Sequence, residues 1–263
     1  MPFEWRSTDS AAPAFSPGGI VLSSFPSAGL AATVAGHYIV KTLKLPRIGV
    51  FEGPDSQPIA VVQNGQVHPP IRVYGRPDLA VVLSELPVPP DLAFAAAKAI
   101  LDGADRRKAR LVIGLEGVMP HPLESPGLNG DSSARSDETV WVAFSQENGP
   151  LAEELKKAQA RRLEDGIIGG LSGALLVEGI TRPTPVAVLL VSALTAPEGF
   201  PDHRAGAALI ETLDRLLPEL KIDTAPLRTQ AEVIEKALRA AMKSRTRVGG
   251  DLISDPAPPT IYG

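Results

Sequence analysis

Three aliphatic runs constrain this chain most: those in "DLAVVLSEL", "ARLVIGLEGV" and "PVAVLLVSAL". Each is apolar at consecutive rather than alternate positions, so each must be covered on both faces, as in a strand buried between layers of helices. Between them lie segments whose apolar residues recur at helical spacing. Examples are "PPDLAFAAAKAILDGADRR", with prolines just before its first turn, and "DHRAGAALIETLDRLLPEL". Parallel neighbours need a crossover of a dozen or more residues, usually a helix, and this alternation supplies one. The sequence therefore predicts an α/β fold built on a mainly parallel, helix-covered sheet.

The rest of the chain is arranged around that sheet. Residues 1–18 read as a flexible arm with little regular structure, and residues 19–224 as the α/β domain. Ile20-Val21-Leu22 predicts a short strand, and "SSFPSAGL" a turn into a helix over "AATVAGHYIVKTL", where Leu30, Val34 and Tyr38 stand four apart. "RIGVF" predicts a further strand. "PIAVVQNGQVHPPIRVYG" predicts an antiparallel hairpin through Asn64-Gly65, and Pro69-Pro70 predicts an edge strand or a late start to its second arm. Residues 119–138 read as a long, polar, mobile connection to the strand "VWVAFS". "PLAEELKKAQARRLE" predicts a helix with a charged outer face, and "GIIGGLSGALLVEGI" a glycine-rich turn into a buried helix. A last helix is expected over 225–247, where Leu227, Ala231, Ile234, Leu238 and Ala241 form an apolar seam against the domain or another subunit. Residues 248–263 read as a flexible tail.

Composition removes several classes of function. A net charge of −4, with both signs interspersed, offers neither a nucleic-acid surface nor one for an anionic membrane. No cysteine occurs, which excludes disulfides, thiolate nucleophiles and thiolate zinc sites and fits a cytoplasmic protein. The opening residues lack the basic start and apolar run of a signal peptide, and the longest apolar run, Val186–Val191, is too short to span a bilayer.

The motifs of catalysis are incomplete. Ser27 sits where a strand turns into a helix, but a nucleophile elbow requires glycine two positions earlier and Phe25 stands there. Capping the helix accounts for Ser27 equally well. "GGLSGA" fails in the same way, with Ala174 in place of the last glycine. Glu52, Glu85 and Glu116 each follow or end a predicted strand. Ligands bind at the carboxyl ends of open parallel sheets, so three glutamates converging there would hold a hard metal or act as acid and base. The competing reading is that they cap turns or face solvent. His37, His68, His121 and His203 show no ligand spacing.

Several stretches together resemble the proteasome assembly chaperone 2 family, above all its archaeal members. They are "FPSAGLAATVAGHYIV", "PIAVVQNGQVHPPIRVYG", "LAVVLSELPVPPDLAFAAAKAI", "GIIGGLSGALL" and "LLVSALTAPEGFPDHRAGAALIETLDRLL", which occur in the family's order across roughly residues 18–245. The resemblance implies a fold distantly similar to nucleoside phosphorylases, no enzymatic activity and no cofactor. It also implies a homo-oligomer and a partner in the α-subunits of the proteasome core particle. Many members end in a hydrophobic–tyrosine–any-residue motif (HbYX) that enters pockets between neighbouring α-subunits, and Ile261-Tyr262-Gly263 matches it. The chemistry of such a tail is coherent: a terminal carboxylate for a basic pocket, a tyrosine with apolar body and polar tip, and an isoleucine anchor. Pro256, Pro258 and Pro259 stiffen the lead and lower the entropy lost on docking. Two alternatives stand beside this expectation: a ligand-binding or metal-dependent hydrolytic enzyme using the strand-end glutamates, and a structural oligomer with an idle tail.

Overall fold

Strands buried on both faces can satisfy their backbone groups only by pairing with one another. The computed structural model describes residues 4–7, 15–52, 59–63, 65–119, 138–146, 158–194, 201–218, 220–234 and 236. Its nine-stranded sheet runs β1 (Glu4–Ser7), β3 (Arg47–Glu52), β6 (Ile71–Arg76), β7 (Leu79–Ser84), β2 (Ile20–Ser24), β8 (Leu111–Val118), β11 (Val186–Ser192), β9 (Val140–Phe144) and β10 (Arg161–Arg162). The central strands β7, β2, β8 and β11 are mutually parallel, and Ser24 lies opposite both Leu83 and Leu115. The flanking pairs β1–β3, β3–β6, β6–β7 and β9–β11 are antiparallel. A separate two-stranded antiparallel sheet joins β4 (Val61–Gln63) to β5 (Gln66–His68), the predicted hairpin, with Pro69-Pro70 dividing β5 from β6.

Helices cover both faces, as the aliphatic runs require. Leu22, Val81, Ile113 and Leu189 point to the side of α1 (Ala31–Thr42) and α4 (His203–Leu216). Val21, Val82 and Val112 point to the side of α2 (Ala93–Arg106) and α3 (Gly170–Gly179). Helix α1 packs on α4, and α2 on α3, giving three layers. Alanines and glycines dominate the buried sides of α1 and α2, so these helices lie close to the sheet.

Two expectations fail. Residues 4–7 are not part of an irregular arm but form edge strand β1, with Trp5 4% exposed between Phe15 and Phe51. A Cβ at Gly103 would stand 2.8 Å from the indole, so the missing side chain admits the ring. Arg107 lies 3.9 Å over that ring. The predicted helix "PLAEELKKAQARRLE" does not extend through its arginines, because Arg161 and Arg162 pair with Trp141 and Val142 as β10. Strand pairing overrides helix propensity there, and two exposed arginines blunt the sheet edge. The start of that helix, most of the polar connection (120–137) and residues 237–263 lie outside the described residues.

Residues 225–234 are helical, as predicted, and Leu227 and Ala231 are buried. Arg228 fastens this helix to the domain, donating to Glu138 at 2.7 Å and to Glu211 at 2.8 Å.

Candidate functional site

In an open parallel sheet, ligands bind outside the carboxyl ends of the strands, here those of β7, β2 and β8. The register decides which face each glutamate takes. Leu83 and Leu115 both face α1, so Glu85, two residues on, returns to that face, whereas Glu116, one residue on, takes the α3 face. Glu52 ends β3, four strand spacings from β8, or roughly 19 Å away. It is exposed, 3.6 Å from Arg6. The expected convergence of Glu52, Glu85 and Glu116 does not occur. Among the described residues, no group of three or more His, Asp or Glu is placed to hold a metal ion.

Glu85 belongs to a charged cluster under α1. Its Oε1 accepts from Nη2 of Arg72, a β6 side chain with no exposed surface, and stands 3.2 Å from His37 Nε2 on α1. Burial alone would raise the Glu85 pKa, but the His37 contact and the Arg72 charge outweigh it and hold the carboxyl at about 2. Arg72 Nε and Nη1 are buried without a hydrogen-bond partner. The signal for Arg72 was a lone cation inside the apolar stretch "IRVYG", which reads as an outward position until β6 is placed between β3 and β7.

Glu116 has different surroundings. It lines a cavity of about 110 Å³ together with Ser23, Pro26, Val88 and the first residues of α3. Ser172 Oγ donates to Glu116 Oε2 at 2.6 Å. Burial pushes the carboxyl up to about 6, against the lowering effect of that hydrogen bond. A carboxyl so poised sits inside the pH range of acid–base work, but among the described residues no second titratable group lines the cavity.

Ser27 does not act as the expected helix cap. It occupies the N-cap position of the 3-10 turn Ala28–Leu30 without capping it, and its Oγ accepts from Gly117 N at 2.9 Å. The hydroxyl thus clamps the β2–α1 turn to β8. Of the histidines, His37 meets Glu85, His68 Nδ1 lies 2.6 Å from Arg47 Nη1, and His203 Nδ1 lies 3.1 Å from the Pro201 carbonyl oxygen. His121 and the tail residues Ile261, Tyr262 and Gly263 fall outside the described residues.

A groove of about 350 Å³ runs between α1 and the C-terminal helix, lined by Leu30, Val34, Tyr38 and Leu227. No helix among the described residues is long and apolar enough to cross a membrane.

Comparison with known proteins places this geometry in context. The model of the PAC2 family matches residues 21–242. A protein of Methanocaldococcus jannaschii, described as uncharacterized, is 27% identical over 220 residues, or 84% of each chain. Among solved structures, the chain is similar to Pyrococcus furiosus PbaA, described as an archaeal homolog of proteasome-assembly chaperone. The TM-score is 0.74 at 26% identity, over 95% of this chain and 96% of that one. It is similar in fold to Pyrococcus furiosus PbaB, described as an archaeal proteasome activator, with TM-score 0.71 at 23% identity over 91% and 99% of the two chains.

Proposed function

The chain belongs to the PAC2 family, and from that premise we propose that it is a cytoplasmic proteasome assembly chaperone or adaptor rather than an enzyme. The observation that carries this reading is the likeness to PbaA at 26% identity over 95% of the chain. The scatter of Glu85 and Glu116 over two faces, with Glu52 four strands away from β8, supports it by removing the shared carboxylate site that a hydrolytic reading needs.

In this proposal Ile261, Tyr262 and Gly263 dock between neighbouring α-subunits of the proteasome core particle. Tyrosine and isoleucine bury apolar surface, and the Gly263 carboxylate meets a basic group. Three docking residues bind weakly by themselves, so a homo-oligomer presenting several tails at once gains avidity.

Gel filtration of the full chain mixed with core particle tests the reading. Co-elution of the parent chain, lost when residues 261–263 are removed, is the expected result. A parent chain that elutes apart from the core overturns the proposal, and equal co-elution of both removes the tail from it.

A further inference from the structure

The cavity at Glu116 is an unusual use of core volume. Neighbouring positions on this face of the central sheet carry valines, yet here β2 presents Ser23 and β8 presents Gly114 and Glu116. A Cβ at Gly114 would stand 3.1 Å from Val188 Cγ2, so the glycine there makes room for that side chain. Small and polar residues at the centre of a buried sheet forfeit packing and hydrophobic burial.

Two further features point into the same space. Ser23 is 3% exposed, lines the cavity, and its hydroxyl has no hydrogen-bond partner among the described residues. Its Oγ is not among the fully buried unpaired atoms, so it opens onto the cavity. Helix α3 begins at the cavity wall with Gly169 as its cap residue and no side-chain cap. Its first intrahelical bond is from Gly173 N to Gly169 O at 3.1 Å, which leaves the N–H groups of Gly170, Leu171 and Ser172 without intrahelical partners. A Cβ at Gly169 would meet nothing within 4 Å, so packing does not forbid a capping serine or aspartate there. The cavity lining thus brings together the Glu116 carboxyl, the N-terminal turn of α3 that it meets through Ser172, and the Ser23 hydroxyl.

We propose that this cavity binds a small neutral group carrying an N–H donor beside a carbonyl acceptor, the chemistry of a primary amide. The ligand N–H donates to Glu116, its carbonyl oxygen accepts from the α3 N–H groups, and Ser23 pairs with either. A free cation would meet the positive end of α3 and a free anion would meet Glu116, whereas an amide satisfies both ends. At about 110 Å³ the cavity takes only a few non-hydrogen atoms, since each water in the liquid occupies roughly 30 Å³. The proposal stands on the cavity alone and is independent of proteasome docking.

The test is a titration of the full-length, 15N-labelled chain with acetamide, with acetate and methylammonium as controls, read at the backbone amides of Gly170, Leu171 and Ser172. Saturable shifts with acetamide alone are expected. Affinity should fall roughly tenfold or more in Glu116→Ala and roughly threefold in Ser23→Ala. The milder Ser23→Ala decides the matter where Glu116→Ala does not give a folded spectrum. Absence of saturable shifts with acetamide, equal binding of either ion, or unchanged affinity in the folded variants overturns the proposal.

Discussion

Removing Glu85 should unbalance the protein out of proportion to its half-buried position. Its partner Arg72 has no exposed surface, and two of the three guanidinium nitrogens have no hydrogen-bond partner. Glu85→Ala leaves that charge without the carboxylate in a medium that cannot solvate it, a change that costs about 3–5 kcal/mol. Against a total stability of about 5–15 kcal/mol this is a large share. At about 2–4 °C per kcal/mol for a domain of this size, the melting temperature falls by roughly 6–20 °C. Adding Arg72→Met removes the stranded charge while keeping much of the volume, so the double variant should recover most of the loss. The effect has a defined pH window. The folded-state pKa of Glu85 lies below its ordinary value of 4.5, at about 2, so its stabilisation is complete above the ordinary value and is lost as pH falls toward 2. The gap between parent and Glu85→Ala should therefore narrow in acid. Urea unfolding of parent, single and double variants at neutral and acidic pH measures all three points. A single variant within 1 kcal/mol of the parent, or a double variant no more stable than the single, would refute the reasoning.

Three further outcomes follow from other parts of the fold. Glu116 has a folded pKa raised to about 6 from 4.5, so its ionisation costs about 2 kcal/mol as pH rises through that window. Parent stability relative to Glu116→Gln should fall by that amount between pH 4 and pH 8 in denaturant titrations. Trp5→Ala should cost about 3–5 kcal/mol in the same assay, because the indole is buried between Phe15 and Phe51; a near-neutral result would place residues 4–7 back in an irregular arm. Asp202 caps α4 by accepting from Ala205 N at 3.0 Å and also accepts from Leu194 N at 2.9 Å. Asp202→Ala should cost about 1–2 kcal/mol by thermal unfolding, and Asp202→Asn less.

The layered fold was legible because its signal is local. Consecutive aliphatic residues and helical spacing are properties of a short window, and the runs at Leu79–Ser84, Leu111–Val118 and Val186–Ser192 became the parallel centre of the sheet. The candidate site was only half legible. That Glu85 follows one strand and Glu116 lies near the carboxyl end of another could be read directly, but the face each takes depends on register, and an offset of one residue rather than two separates them across the sheet. Trp5 escaped notice because its partners, Phe51 and the space at Gly103, are distant in sequence. Arg72 escaped because a charge within an alternating strand reads as solvent-facing until both neighbouring strands are known. Arg161 and Arg162 have a helix-like pattern, but their conformation is set by pairing with β9, whose residues are distant in sequence. Ser23 carried a signal that could have been used, a polar residue within an otherwise aliphatic strand row.

The most direct test of the account is the affinity of the intact chain for immobilised proteasome core particle, compared with that of Tyr262→Ala. Burial of one aromatic side chain contributes about 1.5–3 kcal/mol, so the account predicts roughly 10- to 100-fold weaker binding for the variant, with unchanged melting temperature. Equal affinity of the two chains would contradict it.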